Sequence, residues 1–150
     1  MSSFIKKIYK LGKNELFPIC RSITGNGVRK TLKIIKRHFS QLRIYKIPSG
    51  TKVFDWNIPA EWNVKDAYVI DKYNNKIINF KKNNLHLVGY STPINKVLKK
   101  KKLFEHIHSL PKQQKAIPYV TSYYKKYWGF CINHLEKKLF KKKYKKNDNF

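Results

Sequence analysis

The sequence is poor in acidic residues and in arginine. Eight Asp and Glu residues stand against 34 Lys and Arg residues, which gives a formal charge of +26 at pH 7. The arginines are Arg21, Arg29, Arg37 and Arg43 alone. Because arginine suits phosphate and guanine edges better than lysine does, this scarcity argues against a dedicated nucleic-acid reader. Lysines spread along the whole chain instead predict a solvated surface with only nonspecific affinity for nucleic acid at low salt.

Cysteine is also scarce, and long apolar runs are absent. Residues 1–12 alternate lysines with apolar residues and so lack the apolar core of a signal peptide. Without such a signal, Cys20 and Cys131 are expected to be free thiols rather than a disulfide. Every apolar run is far shorter than the roughly 20 residues that span a bilayer, so no membrane partner is expected. These features predict a cytoplasmic protein.

Hydrophobic periodicity predicts helices near both ends of a folded chain. The chain is 41% hydrophobic and 15% aromatic, which excludes a wholly disordered protein. Amphipathic helices are predicted over residues 3–16 and 28–39, with Thr24 or Asn26 capping the second. A third helix is predicted over residues 94–109.

Between these helices the pattern changes to that of a small β-rich unit. Strands are predicted near residues 42–47, 52–56, 67–71, 76–80 and 85–90. Asparagines at residues 74 and 75 favour a tight hairpin between the third and fourth of these, because they tolerate left-handed backbone angles. Residues 119–124 and 128–132 are predicted to be extended as well.

Each candidate chemical motif is better explained by a structural role than by catalysis or ligand binding. Residues 22–27 resemble a phosphate-binding loop only superficially, because a hydrophobic strand before it and a Gly-Lys-Ser/Thr ending are missing. His106 and His108 would point about 200° apart on a helix and could not hold one metal ion. Cys131 with His134 lacks an orienting third group, so a buried structural cysteine is expected.

No acidic pair stands out as a general acid and base, since the acidic residues are isolated from each other in sequence. Phe54, Trp56 and Trp62 lie around Pro59 and are expected to anchor a loop onto a core. No catalytic, cofactor-binding or metal-binding residue is therefore predicted in this chain.

Residues 117–134, IPYVTSYYKKYWGFCINH, contain six large aromatic residues and no acid. A surface of exposed aromatics favours aggregation, so something must cover this segment: the rest of the chain, a continuation, or a ligand.

Four sequence blocks resemble the N-terminal third of a bacterial family described as aminopeptidase-like. They are PICRSITGNGVRKTL at residues 18–32, PSGTKVFDWNIPAEWNVKDAYV at 48–69, NNLHLVGYS at 83–91 and HSLPKQQKAIPYVTSYYKKYWGFCINH at 108–134. Members of this family have about four hundred residues and often occur with polysaccharide-biosynthesis proteins. The resemblance covers nearly all of residues 13–134.

The resemblance implies an α+β chain: N-terminal helices of an aminopeptidase-like α/β domain plus a small β-rich inserted domain, with the catalytic sheet largely missing. Residues 1–41 would be the helical part and 42–117 the inserted domain, which includes a helix. Residues 118–134 would return to the first domain, and 135–150 would be a basic tail. Residues 117–134 would then be half of an interface whose other half this chain does not encode.

The implied function is that of a truncated N-terminal portion of a zinc metallohydrolase, inactive by itself. Zinc is implied for the full-length family and no cofactor for this chain, because the family's ligands lie beyond the Trp-Gly-Phe-Cys block. A separate polypeptide or a homo-oligomer would complete the domain. Two alternatives from other classes remain: a small basic protein that binds RNA or another polyanion, and a protein-interaction module.

Overall fold

The computed structural model describes residues 3–123 and 125–150. It divides into two compact units, Met1–Asn63 and Val64–Phe150. Tyr124, the end of one predicted extended segment, lies outside the described residues, as do Met1 and Ser2. The chain contains both helices and strands, which confirms the α+β class. The domain boundaries predicted from the family resemblance, at residues 41, 117 and 134, stay a prediction.

The first unit begins with two helices, as predicted. Helix α1 spans Ser3–Leu11 and continues into a π-helical turn at Gly12–Leu16, and helix α2 spans Asn26–His38. Ile34 is the buried residue of α2. Helix α1 has no buried residue, and Phe4, Ile8 and Tyr9 are 68%, 53% and 63% exposed.

Helix α2 begins differently from the prediction, because its N-cap is Gly25 rather than Thr24 or Asn26. The backbone N–H of Asn26 donates to Oδ1 of Asn63 at 2.7 Å. An amide side chain from 37 residues away thus takes the place of a local cap. Gly25 has φ 102°, a conformation that glycine adopts without a steric penalty.

The predicted strand over residues 42–47 is wrong, since these residues form no regular structure. Its alternation is that of a strand, but Ile44 and Ile47 are exposed and no described strand pairs with them. The next segment does form a small antiparallel hairpin, β1 at Lys52–Val53 with β2 at Trp56–Asn57.

The second unit contains the predicted hairpin. Strand β3, Tyr68–Ile70, pairs antiparallel with β4, Lys76–Asn79, and Tyr68 lies opposite Asn79. Asn74 adopts φ 61° in the connecting turn, as expected for an asparagine there. The prediction of this hairpin is confirmed.

The predicted helix over residues 94–109 is mostly wrong. Helix α3 spans only Lys100–Phe104, and strand β5, Ile107–His108, follows it. Strand β5 pairs in parallel with strand β6, Phe130–Cys131. Leu98 exchanges backbone hydrogen bonds with Phe150 at 2.7 and 2.9 Å. These long-range backbone bonds replace the helical ones at both ends of the predicted helix.

The predicted strand over residues 85–90 is also replaced, in part by a 3-10 turn at Asn84–His86. Beyond the turn, Leu87 and Gly89 make isolated bridges to Phe130 and Thr121. This segment therefore contributes single backbone contacts to the centre of the unit rather than a strand.

The core of the second unit lies between its strands and helix α4, which spans His134–Lys143. The buried cluster contains Val69, Ile78, Leu103, Ile107, Phe130, Ile132, Phe140 and Tyr144. The segment expected to be a basic tail thus contains a helix. Phe140 of this helix and Tyr144, the residue directly after it, are both buried in the core.

Most of the aromatic segment is covered by the chain itself. Phe130, Cys131 and Ile132 are buried in the core, so the rest of the chain covers this part of the segment. Tyr119 by contrast is 73% exposed. Of the helices within residues 3–123 and 125–150, none combines the length and apolar character needed to cross a bilayer.

Candidate functional site

The richest gathering of chemically versatile side chains lies around β5 and β6. The ring of His106 stacks on that of Trp128 with centroids 3.7 Å apart. Its Nδ1 donates to the Trp128 carbonyl at 2.8 Å. His108 Nε2 lies 2.9 Å from the hydroxyl of Tyr127. His106 lies in the turn that follows α3 and His108 lies in β5, so the helical spacing expected for the two histidines is wrong.

This gathering disfavours positive charge on the imidazole of His108. Burial lowers the pKa of His108, and the nearby Lys137 and His106 lower it further. Burial also lowers the pKa of Lys137, whose ammonium donates to the Ile107 carbonyl. A neutral imidazole beside a hydroxyl is a proton acceptor and donor, but here its partner is a tyrosine whose pKa is raised by burial.

The thiol of Cys131 is not an activated nucleophile. It is fully buried, and burial raises its pKa to about 11. His134 does not face it as a base: its Nδ1 lies 3.0 Å from the hydroxyl of Ser109. The Cys131 carbonyl accepts from Nδ1 of His86 at 2.7 Å. Cys131 is thus buried, as expected, and both Cys20 and Cys131 are free thiols.

The Ser109–His134 pair was not visible in the sequence, because 25 residues separate its members. Such a pair begins a nucleophile-and-base arrangement. Along the described ranges, however, no carboxylate is hydrogen-bonded to His134. The pair thus lacks the orienting group that catalysis by a serine usually requires.

The described residues do not fit a zinc ion. In residues 3–123 and 125–150, no three His, Cys, Asp or Glu side chains are placed so that they could hold a metal ion together. Zinc in proteins takes at least three such ligands. No chemical step can therefore be assigned to zinc on these residues.

The acidic side chains are mostly engaged in ion pairs. Glu15 pairs with Arg37, Glu61 with Arg29, Asp66 with Lys76 and Lys81, Glu105 with Lys102, and Asp148 with Lys72. These contacts indicate that the carboxylates pair with the cationic surface and do not form a general acid and base.

The glycine loop before α2 is a turn rather than a phosphate site. The first helical amide, that of Asn26, is already bonded to Asn63. A shallow cleft of about 610 Å³ lies beside the loop and includes Cys20, Lys30 and Arg37 in its lining. The guanidinium of Arg37 faces Glu15 at 2.8 Å, so this charge is already paired.

The loop around Pro59 is anchored less well than expected. Phe54 is 91% exposed and has φ 52°, an uncommon angle for a bulky residue. Trp56 is 41% exposed and Trp62 is half-buried. The expectation that all three aromatics anchor the loop onto a core is wrong for Phe54.

The most completely built polar site is structural. The carboxylate of Asp71 is buried and accepts from the N–H groups of Tyr73 and Asn75, each at 2.9 Å. It also accepts from the Asn75 side chain at 3.3 Å and from the hydroxyl of Tyr144 at 2.8 Å. This site ties the β3–β4 turn to the end of α4.

Hydrogen bonding controls the ionisation of Asp71. Burial by itself raises the pKa of this carboxyl, but the bonds from Asn75, Tyr144 and Tyr73 outweigh it and hold the pKa at about 2. This value is below that of an unfolded aspartate, so the ionised carboxylate stabilises the fold above about pH 4. The contribution is lost as the pH falls towards 2.

We expect Tyr144→Phe to lower the free energy of unfolding by about 1.5–3 kcal/mol near neutral pH, because it removes a bond to a charged acceptor. The difference from the wild type should shrink as the pH falls from about 4 to about 2, where Asp71 becomes protonated. Urea unfolding followed at several pH values measures this. A difference that does not change with pH would show that the hydroxyl acts through packing alone.

Comparisons with known proteins place these observations in a family. Residues 61–147 match a family described as a domain of unknown function, DUF2172. A Clostridium acetobutylicum protein, provisionally named a polysaccharide biosynthesis protein with an aminopeptidase-like domain, is 54% identical over 126 residues. The match covers 84% of this chain and 29% of that protein.

A solved structure agrees. The crystal structure of a provisionally assigned peptidase from Clostridium acetobutylicum matches with a TM-score of 0.86 and 48% identity, over 96% of this chain and 33% of that one. The chain spans about a third of the length of these relatives. This chain therefore belongs to the DUF2172 family, and it is similar to an aminopeptidase-like protein over about a third of that protein's length.

Proposed function

We propose that this chain is the N-terminal, noncatalytic portion of an aminopeptidase-like zinc hydrolase and has no peptidase activity by itself. The observation that carries the proposal is the match to about a third of two relatives named for an aminopeptidase-like domain and a peptidase. The structural roles of His86, His106 and Cys131 support it, since each makes a contact that stabilises the fold. One relative is named for polysaccharide biosynthesis, and we propose that process as the setting in which the whole hydrolase acts.

In this proposal, helix α1 is the surface through which the chain contacts the rest of the hydrolase. Its lysines share the helix with Phe4, Ile8 and Tyr9, which are more than half exposed. An amphipathic helix gains most of its stability by burying its apolar face. The occupant that we propose for this face is the remaining two thirds of the aminopeptidase-like architecture, which the matched relatives contain. A complementing polypeptide would serve the same purpose.

A chimeric protein tests this contact without separating the parts. In it, the matched third of the Clostridium acetobutylicum protein of known structure is replaced by this chain. We expect Ile8→Glu to destabilise the chimera by about 2 kcal/mol or more, because the new carboxylate is buried without a partner. In the isolated chain, where Ile8 is 53% exposed, the same change should cost less than about 0.5 kcal/mol.

The matched control is Val97→Glu, an identical type of change at a residue that is 75% exposed in the other unit. It should leave the stability of the chimera and of the isolated chain unchanged, as measured by thermal unfolding. An equal effect of Ile8→Glu in chimera and isolated chain would contradict docking of α1. Hydrolysis of an aminoacyl-p-nitroanilide by the isolated chain with added zinc would contradict the proposed inactivity.

A further inference from the structure

The second unit brings two lysine-rich segments together into one surface, here called the lysine face. It consists of Lys99, Lys100, Lys101, Lys102, Lys141, Lys142, Lys143, Lys145 and Lys146. The ammonium of Lys100 donates to the carbonyls of Lys141 and Tyr144, the first at 3.1 Å. The backbone N–H of Lys100 donates to the Asp148 carbonyl at 3.0 Å. Residues 41 and 44 positions apart in sequence thus become neighbours.

The charges of this face are largely uncompensated. All of its lysines are exposed except Lys100, which is half-buried. Lys102 pairs with Glu105, and the nearby Asp148 pairs with Lys72 from outside the face. In the described parts of the chain, none of the other lysines of the face forms an ion pair with an acidic side chain. Cations gathered this closely repel each other, so an anionic partner would relieve the repulsion.

Helix stability accounts for only part of this charge. Lys141, Lys142 and Lys143 lie in the last turn of α4, and Lys101 and Lys102 lie in that of the five-residue helix α3, where positive charge is favourable. Lys99, Lys145 and Lys146 lie outside the two helices, so the helix ends do not explain them.

We propose that the lysine face binds the phosphodiester backbone of nucleic acid without reading its sequence. The face has no arginine, the residue best suited to read guanine edges, so binding here would not depend on base sequence. Lysine binds phosphate oxygens as a point charge, and the charges here lie along two segments rather than around a pocket. This arrangement fits a linear chain of phosphates better than a small anion.

The face also predicts which form of nucleic acid binds. Its segments contain a single aromatic residue, Tyr144, whose side chain is only 4% exposed. Single strands gain affinity by stacking their bases on exposed aromatic rings, and this face offers none. Because the density of phosphates is greater in a duplex, a duplex should bind at least as tightly as a single strand of equal length. This proposal is independent of the one made for α1.

The test is fluorescence anisotropy of the full chain with a labelled 20-base-pair duplex, titrated from about 50 to 200 mM salt. We expect the triple variant Lys141→Gln, Lys142→Gln and Lys145→Gln to bind at least tenfold more weakly. Its plot of log affinity against log salt should be shallower by about 2 to 3, since each lost phosphate contact removes about 0.9. Duplexes of different sequence should bind alike.

The matched control removes the same charge elsewhere, by Lys6→Gln, Lys7→Gln and Lys10→Gln on the exposed surface of α1. It should change affinity less than threefold. Equal losses in both variants would show that binding follows the net charge, and this would overturn the proposal. So would tighter binding to hyaluronate or to phosphatidylserine vesicles, each measured at the same salt. Circular dichroism confirms that the variants stay folded.

Discussion

Phe140→Ala is expected to destabilise the second unit by about 3–5 kcal/mol, the usual cost of deleting a buried aromatic ring. Phe140 is 7% exposed on helix α4. Its ring lies between those of Phe104, Tyr144 and Phe150, with centroids 5.1, 4.9 and 5.0 Å away. Alanine would remove all three contacts and leave a cavity that these rings cannot fill without moving. A loss of this size is a large part of the stability of a small domain.

The matched control for this change is Leu139→Ala, one residue earlier on the same helix. Leu139 is 66% exposed, and leucine and alanine are both good helix formers. Its substitution should alter the free energy of unfolding by less than about 0.5 kcal/mol. Urea unfolding followed by far-UV circular dichroism compares the two. Similar effects of the two variants would mean that α4 does not pack as a core helix.

Helix α4 also explains why the aromatic segment needs no outside cover at its centre. The sequence from Leu135 onward is so rich in lysine that it predicts a solvated tail. A tail contributes no cover, so the burial of Phe130 required another source. Phe140 of this helix and Tyr144, the residue directly after it, both join the buried core that contains Phe130. Composition conceals this pattern, because a helix of ten residues needs only a narrow apolar stripe.

Local signals predicted the elements whose bonds are local. The β3–β4 hairpin depends on alternation and on Asn74, all within 12 residues, and helix α2 depends on an uninterrupted helical repeat. The segment around α3 failed because the partners of Leu98 and Ile107 lie 52 and 23 residues later in the chain. Helical periodicity there is real, but tertiary pairing overrides it.

The polar sites were even harder to predict from the sequence, because their partners are distant along the chain. Asp71 and Tyr144 are 73 residues apart, and neither has a neighbour in sequence that indicates the other. The prediction for His106 and His108 failed for a related reason, because the spacing of a pair has meaning only once its secondary structure is known. The family resemblance, by contrast, depended on long blocks of residues and is confirmed by the comparisons.

Gly25→Ala is expected to destabilise the start of helix α2 by about 3 kcal/mol or more, because two separate penalties add. The backbone has φ 102°, which residues with a side chain rarely adopt. A Cβ atom would also lie 2.6 Å from the Trp62 carbonyl oxygen and 2.8 Å from Oδ1 of Asn63. Asn63 is the residue that bonds the first amide of the helix, so relief of the clash would break that bond as well.

Gly50→Ala separates the two penalties. Gly50 also has a positive φ, 84°, but nothing lies within 4 Å of the position of its Cβ. The free energy of unfolding of this variant should therefore fall by only about 1–2 kcal/mol, which is the penalty for the backbone conformation alone. Hydrogen exchange of the α2 amides, Asn26–His38, reports on the affected helix directly. Protection should fall about 100-fold or more in Gly25→Ala and far less in Gly50→Ala. Equal losses would mean that the loop moves aside freely and that Asn63 does not fix where the helix begins.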